Sequence, residues 1–124
     1  ISTQFGVTSP CLYLTTGSEE GKIFPLNGEK IPLGRIDPTD MSFSKMQNGV
    51  VMLSSEYKSV SRISRPHARI YHGNVWEIED CGSTSGTFVN TEPISPHTRR
   101  TITDGDLIIL GTGNMSARFL LITD

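Results

Sequence analysis

The sequence predicts an all-β fold, an antiparallel β-sandwich, and three observations carry that prediction. Short runs rich in β-branched, aromatic and other apolar residues recur along the chain. Turn residues separate them, most clearly Asn27-Gly28, Gly73-Asn74 and Asp104-Gly105-Asp106. Almost nothing in the chain reads as helix. Strands joined by turns each bury one face, and two sheets must pack together to cover those faces.

Taken in order, Cys11 to Thr16 is a β-rich run closed by Gly17. Lys22 to Leu26 and Lys30 to Leu33 flank Asn27-Gly28, a strong hairpin signal, and Pro25 and Pro32 point to edge or irregular pairing there. Val50 to Leu53 reads as a short buried strand. Ala68 to His72, then Gly73-Asn74, then Val75 to Asp80 reads as a second hairpin whose Trp76 and Ile78 share one face. Trp76 is expected in the core. Thr87 to Asn90, Thr101 to Thr103, Asp106 to Leu110 and Arg118 to Ile122 complete the strands. Arg99-Arg100 reads as a solvated pair of charges. The irregular stretch from Asp37 to Asn48 is long for a compact domain, which marks it as functional or mobile.

The composition sets outer limits. The 124 residues suffice for one domain with a single two-layer core. Hydrophobic residues are 35% and charged residues 19%, a globular balance. A net charge of -2 and a pI of about 5.9 argue against binding driven by a nucleic-acid backbone, whose footprint is a domain pI above about 9. No apolar run approaches the roughly 18 residues of a membrane span, and no signal-peptide pattern starts at Ile1. Cys11 and Cys81 lack the spacing of a zinc site and read as two reduced thiols. Asn114-Met115-Ser116 matches the glycosylation sequon and reads as a chance match. Neither a metal nor a cofactor is expected.

Chemistry concentrates in three islands, each where a strand pattern meets a loop: Gly34-Arg35, Ser64 to Ala68, and Asp80 to Asn90. Arginine presents a rigid fork of donors that matches a phosphate dianion. Serine and threonine hydroxyls add neutral donors that fix its orientation. The islands therefore predict a surface that reads phosphate on a partner.

The same pieces resemble the forkhead-associated (FHA) domain, a phosphothreonine-binding module. They are Leu33-Gly34-Arg35, Ser64-Arg65-Pro66-His67-Ala68, Trp76 to Asp80, Gly82 to Asn90 and Asp104 to Gly111, in the family's order and spanning about 11–122. The resemblance implies an eleven-stranded sandwich of the FHA/SMAD-like kind, with binding loops at one end. It implies that Arg35 pairs with the phosphate, that Ser64 and Thr84 donate hydroxyls, and that Arg65 contacts phosphate or peptide. It makes His67 a structural brace, and Gly34 and Gly86 positions whose dihedrals only glycine tolerates. The spacing to His67 selects Ser64-Arg65 over Ser61-Arg62, and leaves a place for Arg62 near the groove open. Ser85-Gly86-Thr87 departs from the family's Asn-Gly-Thr. Ser85 is an amide shorter and stays open between loop support and a peptide contact, made through a water.

The family setting implies a monomeric module, residues 1–124, taken from a larger signalling protein of the nucleus or cytoplasm, as in cell-cycle control or the DNA damage response. The partner is a phosphothreonine-containing protein, not nucleic acid or membrane. The Ser-Gly-Thr variant resembles some fungal ubiquitin ligases that carry an FHA domain. Two other readings compete. A scaffold of this fold, binding partners without phosphate, would follow from the Ser85 change and the long loop. An enzyme is disfavoured: Gly82 to Gly86 is not a nucleophile elbow, Gly111 to Asn114 lacks the P-loop lysine, and no paired carboxylates stand out. Thr3-Gln4 is a candidate phosphorylation site through which one copy binds another. Peptide selectivity is expected to lie in the shapes of the 37–48 and 112–116 loops.

Overall fold

The structure, a computed structural model, describes residues 10–39 and 49–124. The expectations for Thr3-Gln4 and for most of the 37–48 stretch lie outside these residues. Eleven strands form two sheets. In chain order they are β1 (Cys11–Leu14), β2 (Ile23–Pro25), β3 (Lys30–Arg35), β4 (Val51–Leu53), β5 (Ala68–His72), β6 (Trp76–Asp80), β7 (Thr87–Val89), β8 (Glu92–Pro93), β9 (Arg99–Ile102), β10 (Leu107–Leu110) and β11 (Ala117–Ile122). One sheet runs β2-β1-β11-β10-β7-β8, the other β4-β3-β5-β6-β9. A 3-10 turn, Gly113–Met115, precedes β11.

Alternation decides which side chains meet between the sheets. Leu12, Leu14, Ile108, Leu110, Phe119 and Leu121 face Ile31, Leu33, Ile70 and Ile78, and all are fully buried. Phe24 meets Phe119 edge to face at 5.9 Å between ring centroids. Trp76 packs on the margin of this core and stacks on His72 at 3.7 Å. Both cysteines are free thiols, Cys11 buried and Cys81 half-buried. Among the described residues no helix is long and apolar enough to cross a membrane.

Four features differ from the sequence expectation. Asn27-Gly28 is not a hairpin turn: β2 pairs with β1 and β3 with β4 and β5, so the turn carries the chain from one sheet to the other. Burial of Phe24 against Phe119 outweighs the local turn signal. Second, β3 and β4 are parallel while the other strand pairs are antiparallel. The connection over 36–50 is long enough for the crossover that a parallel pair requires. Third, Arg99 and Arg100 begin β9. Arg99 lies over the Tyr71 ring at 3.7 Å, and the two arginines approach Glu77 at 3.7 Å and Glu92 at 3.6 Å. Fourth, β8 follows β7 through Asn90-Thr91, both left-handed at φ 50° and 71°, a two-residue turn without glycine.

The prolines fit their places. Pro25 lies in edge strand β2. Pro32 sits opposite Arg69, and β4 pairs with β3 only from Leu33 onward, so its missing N–H falls where no neighbour has begun.

Candidate functional site

The site starts where β3 ends. The backbone N–H of Arg35 donates to Ser61 O at 2.9 Å, and Ile63 N–H donates to Arg35 O at 2.8 Å. Gly34 permits that approach: a Cβ there would lie 2.8 Å from Ile63 Cα and 2.9 Å from Ser61 O. Its φ is not left-handed, so Gly34 is required by close packing and not by its dihedrals, as the resemblance had suggested. Gly86 does hold the left-handed conformation, at φ 90°.

Arg35 Nε donates to Val60 O at 2.7 Å, which directs the half-buried guanidinium along the 59–61 segment. Its terminal nitrogens make no hydrogen bond or ion pair among the described residues. The carbonyls that hold it are buttressed in turn. Ser59 Oγ donates to Thr112 O at 2.7 Å, and Ser59 N–H donates to Met115 O at 3.2 Å. The Ser85 hydroxyl donates to Ser59 O.

His67, fully buried, joins two loops. Its Nδ1 accepts Ser61 N–H at 3.1 Å, and its Nε2–H donates to Gly86 O at 2.7 Å. These partners select the neutral Nε2–H tautomer. Burial pushes its pKa below the usual histidine range, against the opposing pull of the Gly86 carbonyl and Asp80.

The third island is organised by Asp80, the buried last residue of β6. Its carboxylate accepts Gly82 N–H and Ser83 N–H, each at 3.0 Å, Ser83 Oγ–H at 2.5 Å and Thr87 Oγ1–H at 2.6 Å. Burial pushes this carboxyl up, but the Ser83 and Thr87 hydroxyls and the two amides outweigh it, so its pKa lies below the usual range. Ser83 Oγ also accepts Gly86 N–H at 2.9 Å. The loop leaves Thr84 exposed, its hydroxyl without a partner among the described residues.

An open cleft of about 530 Å³ lies between these loops, lined by Asp37, Ser61-Arg62, residues 64–66 and residues 81–84. It brings Ser64, Arg65 and Thr84 together. Arg35 and Ser85 flank it without lining it, and both hold carbonyls of the 59–60 segment. Arg62, left open by the sequence, does line it.

One lining residue carried no specific role in the sequence, only its place at the start of the 37–48 stretch. Asp37, at most slightly exposed, accepts Ser64 Oγ–H at 2.6 Å, Thr39 Oγ1–H at 2.6 Å and Thr39 N–H at 3.0 Å, and lies 3.8 Å from Arg62 Nη1. The Ser64 hydroxyl, then Thr39, hold its carboxyl down to about 2. Asp37 is 27 positions from Ser64, and only the fold brings them together. The organising roles of Asp80 and Ser83 were not read from the sequence either, although Asp-Cys-Gly-Ser at a strand end is a recognisable turn signal. Among the described residues no group of three or more His, Cys, Asp or Glu is placed to hold a metal.

The comparisons with known proteins agree with the fold. Protein FraH of Nostoc sp. is 43% identical over 54 residues, covering 43% of this chain and 19% of FraH. The probable E3 ubiquitin-protein ligase dma1 of Schizosaccharomyces pombe is 43% identical over 54 residues, covering 40% of this chain and 20% of dma1. The chain thus spans about a fifth of the length of either relative. A structure solved in a study of phosphothreonine-dependent FHA domain interactions superposes with a TM-score of 0.64 at 26% identity, covering 92% of this chain and 95% of that one. The FHA domain family model matches residues 31–111, from Ile31 in β3 to Gly111 after β10, and this chain belongs to the FHA domain family.

Proposed function

We propose that the chain is a phosphothreonine-dependent docking module that binds a phosphorylated segment of a partner protein across the end of the sandwich and performs no catalysis itself. The observation that carries this reading is Arg35. It is a half-buried cation with its Nε fixed on Val60 O and its terminal nitrogens unspent among the described residues, beside a cleft that presents Ser64, Arg65 and Thr84. A phosphate carries about -1.5 to -2 charge and three acceptor oxygens at neutral pH. Arg35 meets the charge, and the Ser64 and Thr84 hydroxyls meet the remaining lone pairs. Hydrogen bonds to a charged group contribute roughly 1.5–3 kcal/mol each. A structure of this fold from work on phosphothreonine-dependent interactions supports the same reading.

The test is an anisotropy titration with phosphothreonine, phosphoserine and unmodified threonine peptides. Selective phosphothreonine binding is expected, weakened roughly hundredfold by Arg35→Ala with the fold retained. Equal binding of unmodified peptide by wild type and Arg35→Ala would establish the scaffold reading instead. The wider setting, a larger signalling protein of the nucleus or cytoplasm acting in the cell cycle or DNA damage response, belongs to this proposal. So does a catalytic activity elsewhere in the parent protein. Its support is the short span of the curated relatives that the chain covers, one of them a probable ubiquitin ligase.

A further inference from the structure

The phosphate cleft already contains an anion. Asp37 lies among the hydroxyls and cations that line it, and its carboxylate is bonded to Ser64 and paired with Arg62. Thr39 holds the same carboxylate from the other side through its amide and its hydroxyl. A serine hydroxyl has one proton to give. A phosphate dianion offers only acceptors, as does a carboxylate. Ser64 can therefore donate to Asp37 or to an incoming phosphate, but not to both. Once phosphate arrives, an Asp37 left in place would face it as a like charge.

We propose that Asp37 is a resident competitor that sets the affinity and selectivity of the cleft: it occupies the Ser64 hydroxyl and offsets Arg62 until phosphothreonine displaces it. The proposal rests on the docking reading above and deepens it.

The arrangement separates two ligand classes. A glutamate or aspartate side chain on a partner brings one charge and two oxygens, no more than Asp37 already supplies, so it gains nothing by exchange. Phosphothreonine brings nearly twice the charge and a third oxygen. It reaches Arg35 as well, which Asp37 does not engage. The resident carboxylate thus raises the threshold for every anion and leaves only the dianion above it. Phosphomimetic acidic residues would be excluded by the domain itself.

The experiment measures binding of a degenerate phosphothreonine peptide library, and of the same library with Glu replacing phosphothreonine. The proteins are wild type, Asp37→Asn, Ser64→Ala and the double variant, each also carrying Arg35→Ala as a control. Asn keeps an oxygen for the Thr39 donors while removing the charge. Asp37→Asn is expected to tighten phosphothreonine binding by roughly tenfold and to give measurable binding of the Glu library. In the Ser64→Ala background that gain should shrink, because the share that comes from the Ser64 hydroxyl is already gone and only the Arg62 and like-charge share remains. Thr39→Val, which removes the hydroxyl of the other anchor and keeps its amide, should give a smaller gain in the same direction.

Unchanged or weaker binding by Asp37→Asn, with wild type binding in an Arg35-dependent way, overturns this inference alone and makes Asp37 a support for Ser64. An undiminished gain in the Ser64→Ala background also overturns it, since the effect is then general charge removal. If no phosphopeptide binds wild type or Asp37→Asn, or if Arg35→Ala binds as well as wild type, the docking reading falls and this inference with it.

Discussion

Two aspartates stand beside the cleft, Asp37 just after β3 and Asp80 at the end of β6, and they are bonded in opposite ways. Asp80 accepts four hydrogen bonds, all from residues no more than seven positions away. Its network is local and closed: the cleft-lining donors it uses, from Gly82 and Ser83, belong to its own loop. Asp37 accepts two hydrogen bonds from its own turn and a third from Ser64, 27 positions away. That third bond uses a hydroxyl that faces the cleft. The same functional group thus serves as a fixed organiser in one loop and as an exchangeable occupant in the other. The difference lies in who supplies the donors: a loop that satisfies its own carboxylate keeps its shape, whereas one that borrows a donor leaves a contact that an anion can take.

The predictions probe that contrast. Asp80→Ala strands four donors at once and is expected to cost about 3 kcal/mol or more, read as a lower urea midpoint. Phosphopeptide binding should fall with it, because Thr84 rides on this loop. Asp37→Asn should cost clearly less stability. A larger loss at Asp37 than at Asp80 would reverse the comparison.

Gly34→Ala places a methyl against backbone that cannot move aside, 2.8 Å from Ile63 Cα. It is expected to cost about 2 kcal/mol. Because the displaced segment is the one that holds Arg35, affinity should drop in the same variant. Loss of stability with full binding would mean that Arg35 does not depend on this approach. Ser85→Ala removes one hydrogen bond to Ser59 O and is expected to cost about 1 kcal/mol while leaving affinity within about threefold. A larger affinity loss would make Ser85 a peptide contact.

The smallest effect is a pH slope. His67 is neutral in the fold, with its pKa depressed chiefly by burial. The unfolded chain takes up a proton near pH 6.5, which the folded chain resists. Stability from this residue is therefore complete above about pH 6.5 and is lost as pH falls from there toward the folded pKa. Unfolding titrations from pH 7.5 to 5 should show it. His67→Gln should flatten the slope, and an unchanged slope would assign it elsewhere.

Much of this molecule is written locally. The β5–β6 hairpin follows from alternation around Gly73-Asn74, and β10 and β11 from their apolar runs. The three islands carry enough chemistry to name the family and to point at Arg35, Ser64 and Thr84. Where local signals misled, a distant partner had outweighed them. Asn27-Gly28 resembles a hairpin turn until Phe24 finds Phe119 two strands away in its own sheet. The sequence starts β9 at Thr101, whereas Arg99 and Arg100, solvated as expected, begin it beside the Tyr71 ring. The β7–β8 turn escaped notice because Asn90-Thr91 adopts left-handed dihedrals without a glycine.

What the sequence by itself determined is the sandwich class and the family, with Arg35, Ser64 and Thr84 as the residues we propose to read phosphate, because alternation, turn chemistry and donor type are properties of neighbours along the chain. What only the tertiary structure decided is which of those donors are free. His67 and Ser85 prove to be spent on backbone carbonyls, and Ser64 on Asp37. Hydrogen bonds between loops depend on where the two sheets bring them, and no pattern of residues within either loop records that.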